Sequence, residues 1–389
     1  MRSLLAKLGL VLSALLLVLL VLEVAVRWAD PVINRDPWWK YDPLLGWRAD
    51  PENGHFDGVS PSGFRHRDFP RRKPAGVKRL VILGDSFSLG VAVKASQTFA
   101  ARLEEQLDQA DPGIDWQVLN LAVNDWGTAQ QLIALRDIGL GYQPDAVVLQ
   151  TFPLNDMCNN CPIMAFTCSF QDAHRPYLRL EKGKWLETRI DWWAPLRASR
   201  LFLWAESVLD KRGVDEAAGD EHEKRGRRLQ LNAEAAGLEW EGGVSALLPD
   251  EHQQPQVKEC WQNTHDLVGG IRALLQPDGI PLIGFVVPFS GTFEEKWPDM
   301  LERFPAPMQR TYASDRMEEI LGQWGLPVIS GRQRILQSDQ PLSSFFVSEE
   351  DGHFSVFGHA QAALWIEEAL RDQGLIPSGR SAPAASPQR

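Results

Sequence analysis

Four short stretches hold the residue types that acyl transfer requires. Gly84-Asp85-Ser86-Phe87 offers a hydroxyl, and Asn124-Asp125-Trp126-Gly127 and Asn155-Asp156 offer amides, main-chain N–H groups and carboxylates. Glu350-Asp351-Gly352-His353 offers an imidazole beside two carboxylates. A serine hydroxyl becomes a useful nucleophile when a base takes its proton, an acid orients that base, and fixed donors meet the negative charge on the attacked carbonyl oxygen. Taken singly, each stretch also reads as a turn or a helix cap. Their joint occurrence is the signal, provided that the fold carries them to one place.

The elements between them give that placement. Residues 78–83 (KRLVIL), 117–123 (QVLNLAV), 145–151 (DAVVLQT), 281–287 (PLIGFVV) and 326–330 read as strands. Their near-continuous apolar runs suit a sheet buried on both faces. Apolar residues at helical spacing lie in 99–107, 129–140, 265–275, 312–324 and 356–371. Strands alternating with helices predict an α/β fold, a doubly wound, mostly parallel sheet of five strands in three layers, flavodoxin-like. Each chemically equipped stretch then follows a strand or precedes the final helix, where open parallel sheets bind ligands. Residues 157–265 break the alternation and read as an insertion, with helices expected near 197–212 and 229–238.

The N-terminus sets the expected compartment. Arg2 and Lys7 precede an uncharged run from Leu8 to Leu22, which Val24–Val26 extends beyond Glu23. Nineteen residues at about 1.5 Å each span roughly 28 Å, close to the thickness of a bilayer core. Glu23 or Arg27 would occupy the −3 position of the available cleavage sites, so an uncleaved signal-anchor is expected, basic residues inside and the rest of the chain exported. The organisation that follows is a transmembrane helix over 1–27, an extracytoplasmic stalk over 28–75, a domain over 76–375 with insertion 157–265, and a disordered tail over 376–389. The 389 residues suffice for a large core, and a net charge of −11 argues against nucleic acid as a partner.

The motifs also carry a resemblance. Residues 78–90 (KRLVILGDSFSLG), 120–132 (NLAVNDWGTAQQL), 149–156 (LQTFPLND) and 351–362 (DGHFSVFGHAQA) resemble the first, second, third and fifth blocks of the SGNH/GDSL hydrolase superfamily, in particular its membrane-anchored bacterial members. Leu45-Gly46-Trp47-Arg48 and Ser62-Gly63-Phe64-Arg65 are similar to stalk elements of such proteins. The resemblance implies Ser86 as nucleophile, His353 as base and Asp351 as its acid, with Glu350 the alternative acid. It implies oxyanion donors from the main chain of Ser86, from the second block at Asp125 or Gly127, and from the Asn155 amide. Asp125 occupies the position where the second block normally has glycine. His359, in the first turn of the last helix, reads as structural.

The expected function is a serine-type ester hydrolase of the esterase or deacetylase kind, working outside the cytoplasm through an acyl-serine. It would act on a small ester or an acylated envelope glycan, from a single-pass position in a bacterial inner membrane with its domain in the periplasm. A polysaccharide O-acetyltransferase of the same fold is an alternative. An inactive envelope scaffold or glycan-binding protein is the alternative of another class. No cofactor is expected. Cys158, Cys161, Cys168 and Cys260 include one Cys-x-x-Cys and no second, so two disulfides are expected rather than a metal site, with all three connectivities open. Trp185 and the Trp192–Trp193 pair read as core packing, with a sugar platform or membrane contact as the other possibility.

Overall fold

Residues Val77–Gly84 (β3) explain the centre of the molecule. Leu80 and Ile82 point into one apolar layer, Val81 and Leu83 into the other, and all four are fully buried. A strand covered on both faces needs apolar side chains at every position, so the run shows no alternation. The computed structural model describes residues 2–29, 38–164, 167–168, 175–189, 201, 234, 237–240, 242–293, 295, 297–303, 307–348 and 351–377.

In chain order, the N-terminal helix α1 (Arg2–Ala29) is followed by the hairpin strands β1 (Trp39–Asp42) and β2 (Gly46–Ala49), then β3. Next come α2 (Ser86–Leu89), α3 (Phe99–Ala110), β4 (Asp115–Ala122), α4 (Thr128–Asp137), β5 (Ala146–Thr151) and α5 (Pro153–Asn159). A second hairpin, β6 (Pro176–Glu181) and β7 (Lys184–Arg189), precedes α6 (Gly242–Ala246) and α7 (Pro255–Leu275). The chain ends with β8 (Leu282–Val286), α8 (Trp297–Arg303), α9 (Tyr312–Gln323), β9 (Val328–Ser330), α10 (Gly331–Leu336) and α11 (Val356–Asp372).

The five strands of the main sheet run in the order β4-β3-β5-β8-β9, all parallel. This is the α/β, doubly wound, five-stranded sheet expected from the sequence. Helices α4, α7 and α9 supply apolar residues to one layer, and α3 and α11 to the other. From β3 the chain steps outward to β4, then returns to the other side of β3 with β5. That reversal opens a crevice beyond the carboxyl end of β3.

The segment after residue 38 is built into the domain. Trp39, Leu45, Trp47, Ala49, Phe64 and Phe69 are buried in the main core. The stretch that follows α5 is tied down by two disulfides, Cys158–Cys168 and Cys161–Cys260. Its helix α7 begins at Pro255, ten residues before the expected helix, because Pro at the first turn opens a helix whose buried face already includes Val257, Cys260 and Trp261. The β6–β7 hairpin turns at Lys182 (φ 49°) and Gly183 (φ 74°), the left-handed pair of a two-residue hairpin turn. Trp185 packs against the core, beside Gly270. The helix expected at 229–238 and that at 197–212 fall largely outside the described residues, as do Trp192–Trp193, Glu350 and nearly all of the tail.

Helix α1 stands apart in character. Its stretch Gly9–Val26 has a mean hydropathy of 2.8 and none of it is buried. By length and composition it can cross a membrane as an anchor or serve as a signal sequence.

Candidate active site

The turn after β3 places Ser86. Gly84 ends the strand where a Cβ would collide with Ser88 Oγ and Gln150 Oε1. Asp85 then caps α2: its Oδ1 accepts the Phe87 N–H at 2.9 Å, and its own N–H donates to Gln150 Oε1 at 3.0 Å. Ser88 Oγ donates to the same Gln150 oxygen at 2.8 Å, and Asn120 Nδ2 donates to the Ser88 carbonyl at 2.6 Å. β4 and β5, flanking β3, thus both grip the turn. Four residues of helix end at Gly90, whose φ of 73° is a left-handed cap. Arg65 of the Ser62–Arg65 motif donates to the carbonyls of Leu89 (3.1 Å), Gly90 (2.6 Å) and Val93 (2.8 Å) and pairs with Asp57.

The loop before α11 places His353. Phe346 and Phe354 form an antiparallel bridge, and the Val347 N–H donates to the His353 carbonyl at 3.0 Å. Phe345 and Phe354 are fully buried, and Ser355 Oγ caps α11 by accepting the Gly358 N–H at 3.1 Å. His353 is therefore fixed between a core anchor and a helix start. Its ring leans on Phe87, centroids 4.9 Å apart.

These two placements converge. Ser86 Oγ lies 2.8 Å from His353 Nε2, and His353 Nδ1 lies 2.6 Å from Asp351 Oδ1. The same carboxylate oxygen accepts the His353 main-chain N–H at 3.1 Å. The imidazole is thus held at Nδ1 by an acid, leaving Nε2 aimed at the hydroxyl. Asp351, two residues before the histidine, makes this contact; Glu350 lies outside the described residues.

The remaining candidates sit on the neighbouring strand ends. Asn155 lies in the first turn of α5, beyond β5, and its side-chain amide is not engaged by any described residue. Asp125 follows β4 in a left-handed conformation, φ 61°, which Asp tolerates better than most residues. Its carboxylate pairs with Arg175 and Asn159. Gly127 caps α4, and its N–H donates to Gln130 Oε1 at 3.3 Å. A Cβ there would stand 2.8 Å from Asn159 Cβ, so this glycine lets α4 start against α5.

Two buried carboxyl groups lie behind the serine turn. Asp156 accepts Thr128 Oγ1–H at 2.8 Å and the Phe152 N–H at 2.7 Å. Burial first, then the nearby Asp85 charge, pushes its carboxyl up to about 8. Burial likewise raises Asp85 to about 6. His359 is buried on α11, accepts the Phe99 N–H at Nδ1 (3.2 Å), and is pushed down to about 3, mainly by burial. It is a packing residue.

Sequence reasoning missed Arg175 and the bracing by the segment after residue 38. Trp47 Nε1 donates to the Asn124 carbonyl at 3.0 Å, so the Leu45–Arg48 motif supports the second candidate loop as Ser62–Arg65 supports the first. The motifs themselves were visible in the sequence; their targets were not.

No family model and no curated protein sequence matches the chain. Among solved structures it is similar to the lipase/acylhydrolase from Enterococcus faecalis, at 14% identity and a TM-score of 0.39 over 78% of this chain and 100% of that one. A protein of the G-D-S-L family from Desulfitobacterium hafniense gives 10% identity and a TM-score of 0.37 over 75% of this chain and 99% of that one. A two-domain esterase active on acetylated mannans gives 12% and 0.39 over 80% and 53%, respectively. At these identities and TM-scores the likeness assigns this chain no activity.

Proposed function

We propose that the chain is a serine-type ester hydrolase working outside the cytoplasm, with Ser86 as nucleophile, His353 as general base and Asp351 as its orienting acid. The observation that carries this reading is the unbroken contact chain Ser86 Oγ–His353 Nε2 (2.8 Å) and His353 Nδ1–Asp351 Oδ1 (2.6 Å). Those distances lie within hydrogen-bond reach, as proton transfer requires.

The reaction runs as acyl transfer through the serine. Ser86 Oγ attacks the ester carbonyl while His353 Nε2 takes the hydroxyl proton, and Asp351 stabilises the imidazolium. The main-chain N–H of Ser86, the Asn155 amide and the Asp125 N–H stabilise the oxyanion. The intermediate collapses, the C–O bond to the alcohol breaks, and His353 returns its proton to that leaving oxygen. Water then attacks the acyl-serine with His353 again as base, releasing the carboxylic acid and restoring Ser86.

Two features support a location outside the cytoplasm. The apolar α1 begins with Arg2 and Lys7, and both disulfides belong to an oxidising compartment. A single-pass anchor in a bacterial inner membrane, the domain in the periplasm, would present the site to acylated envelope glycans. The Asp-x-His spacing at Asp351 and His353 favours a second reading: it is shared with polysaccharide acetyltransferases resembling this family, in which a sugar hydroxyl replaces water in the last step.

A fluorophosphonate probe tests the nucleophile. The wild-type protein should be labelled and should turn over p-nitrophenyl acetate, and Ser86→Ala should do neither; equal labelling of both would remove Ser86 from its role. Adding a sugar acceptor to the same assay separates hydrolysis from transfer.

A further inference from the structure

The turn that follows β4 holds an acid where an oxyanion is to form. β4 pairs with β3 in register, Ala122 opposite Gly84, so Asp125 and Ser86 lie just beyond adjacent strand ends. A carboxylate there would repel the negative charge that develops during the reaction. The fold answers with Arg175. Its Nη2 donates to Asp125 Oδ2 at 3.2 Å, and its Nη1 donates to the Asp125 carbonyl at 2.7 Å. Asn159 Nδ2 reaches the same carbonyl at 3.0 Å and Oδ1 at 3.1 Å. The carboxylate and the carbonyl of one left-handed residue are thus both held on the side of Arg175 and Asn159.

Arg175 is itself fixed. It is fully buried, donates through Nη1 to Gln130 Oε1 at 2.6 Å, and stacks its guanidinium 4.9 Å over the Trp47 ring. Gln130 in turn donates to the Leu45 carbonyl at 2.7 Å. A buried cation persists only where it is paired and hydrogen-bonded, and among the described residues Arg175 pairs with Asp125. The planar fork of arginine suits simultaneous contact with a carboxylate and a carbonyl, which an ammonium does not reproduce. The residue comes from the insertion, outside every strand and helix of the main sheet.

We propose that Arg175 is a positioning residue of the active site. It neutralises the Asp125 carboxylate and locks the Asp125 main chain in the left-handed turn that presents its N–H to the oxyanion. This deepens the hydrolase reading above and rests on it. In this account the insertion is part of the catalytic apparatus, supplying the arginine that lets an acid stand in the second block's glycine position.

A mutant cycle on the full chain tests it, with p-nitrophenyl acetate as the substrate. Arg175→Ala should lower kcat by about 10²-fold, the size of effect seen when one oxyanion donor is lost, with KM within about 3-fold of wild type. Arg175→Lys should recover only part of that loss, because it restores charge without the fork. In an Asp125→Gly background, removing Arg175 should cost about 10-fold less in kcat than it does with Asp125 present, since no carboxylate is released and glycine adopts the turn freely. Thermal unfolding of each variant reports whether it folds; if Arg175→Ala does not, the Arg175→Lys pair of measurements carries the comparison. Equal costs of removing Arg175 in the two backgrounds, or an unchanged kcat in a folded Arg175 variant, would overturn the proposal while Ser86-dependent turnover of the wild type kept the hydrolase reading intact. Turnover indifferent to Ser86→Ala would instead remove the parent reading and this inference with it.

Discussion

At the scale of single residues, the chemistry depends on which carboxylate orients the imidazole. Asp351 reaches His353 Nδ1 and also accepts its main-chain N–H, so one oxygen fixes both the ring and the loop. Asp351→Asn keeps the shape and removes the charge, and it allows the wrong tautomer. It should reduce kcat by roughly 10³–10⁴-fold, far more than Glu350→Gln. Steady-state kinetics of the two variants checks this, and a larger loss from Glu350→Gln would transfer the acid's role. Ser86, His353 and Asp351 stood out as candidates in the sequence because their residue types suit acyl transfer and each is next to a recognisable element boundary; the structure brings the three side chains together. Arg175 could not. It is a single arginine in a stretch without periodicity, and its partner Asp125 stands fifty positions earlier. Asp125 read as a departure from pattern because its compensation lies in a different segment.

Elements were legible to the extent that burial imposes a pattern. The five strands of the main sheet are covered on both faces and appear as apolar runs, and their ends fall within a few residues of expectation. The two hairpins were not legible. β1 and β2 have four residues each, and the three outer residues of β6 are exposed while its three inner ones are buried, so no alternation develops. The disulfide connectivity also required three dimensions. Cys161 follows α5 and Cys260 lies within α7, across a separation of 99 residues, whereas Cys158–Cys168 spans 10. In the chain-entropy account a loop near 100 residues gains about 4.7 kcal/mol and one near 15 about 3 kcal/mol. The Cys161→Ser/Cys260→Ser variant should therefore lower the guanidinium unfolding midpoint more than Cys158→Ser/Cys168→Ser does. The reverse order would mean that strain or residual unfolded-state structure outweighs loop closure here. Because α5 also carries Asn155, the longer bridge holds the candidate oxyanion donor to the helix behind it.

The whole molecule's stability should respond to pH through groups that the site buries. Asp156, held up to about 8, and Asp85, at about 6, keep their protons in the folded chain over a range where the unfolded chain, at 3.8, has lost them. Their contribution is fully present below about pH 4 and is lost as pH rises towards 8, because the unfolded state then binds fewer protons. His359 works in the opposite direction. It is neutral in the fold, pushed down to about 3 from 6.5, so its contribution is present above about pH 6.5 and fades as pH falls through 3. The two limbs overlap between about pH 4 and 6.5, where the gain from His359 opposes the loss from the two carboxyls. Asp156→Asn should flatten the alkaline limb of a Tm-against-pH profile recorded from pH 4 to 9, even if its mean Tm drops because the amide cannot accept from both Thr128 and Phe152. An alkaline limb that keeps its full slope in Asp156→Asn would show that this carboxyl is ionised in the folded chain at neutral pH, and that the turn beneath Ser86 tolerates a charge which its burial argues against.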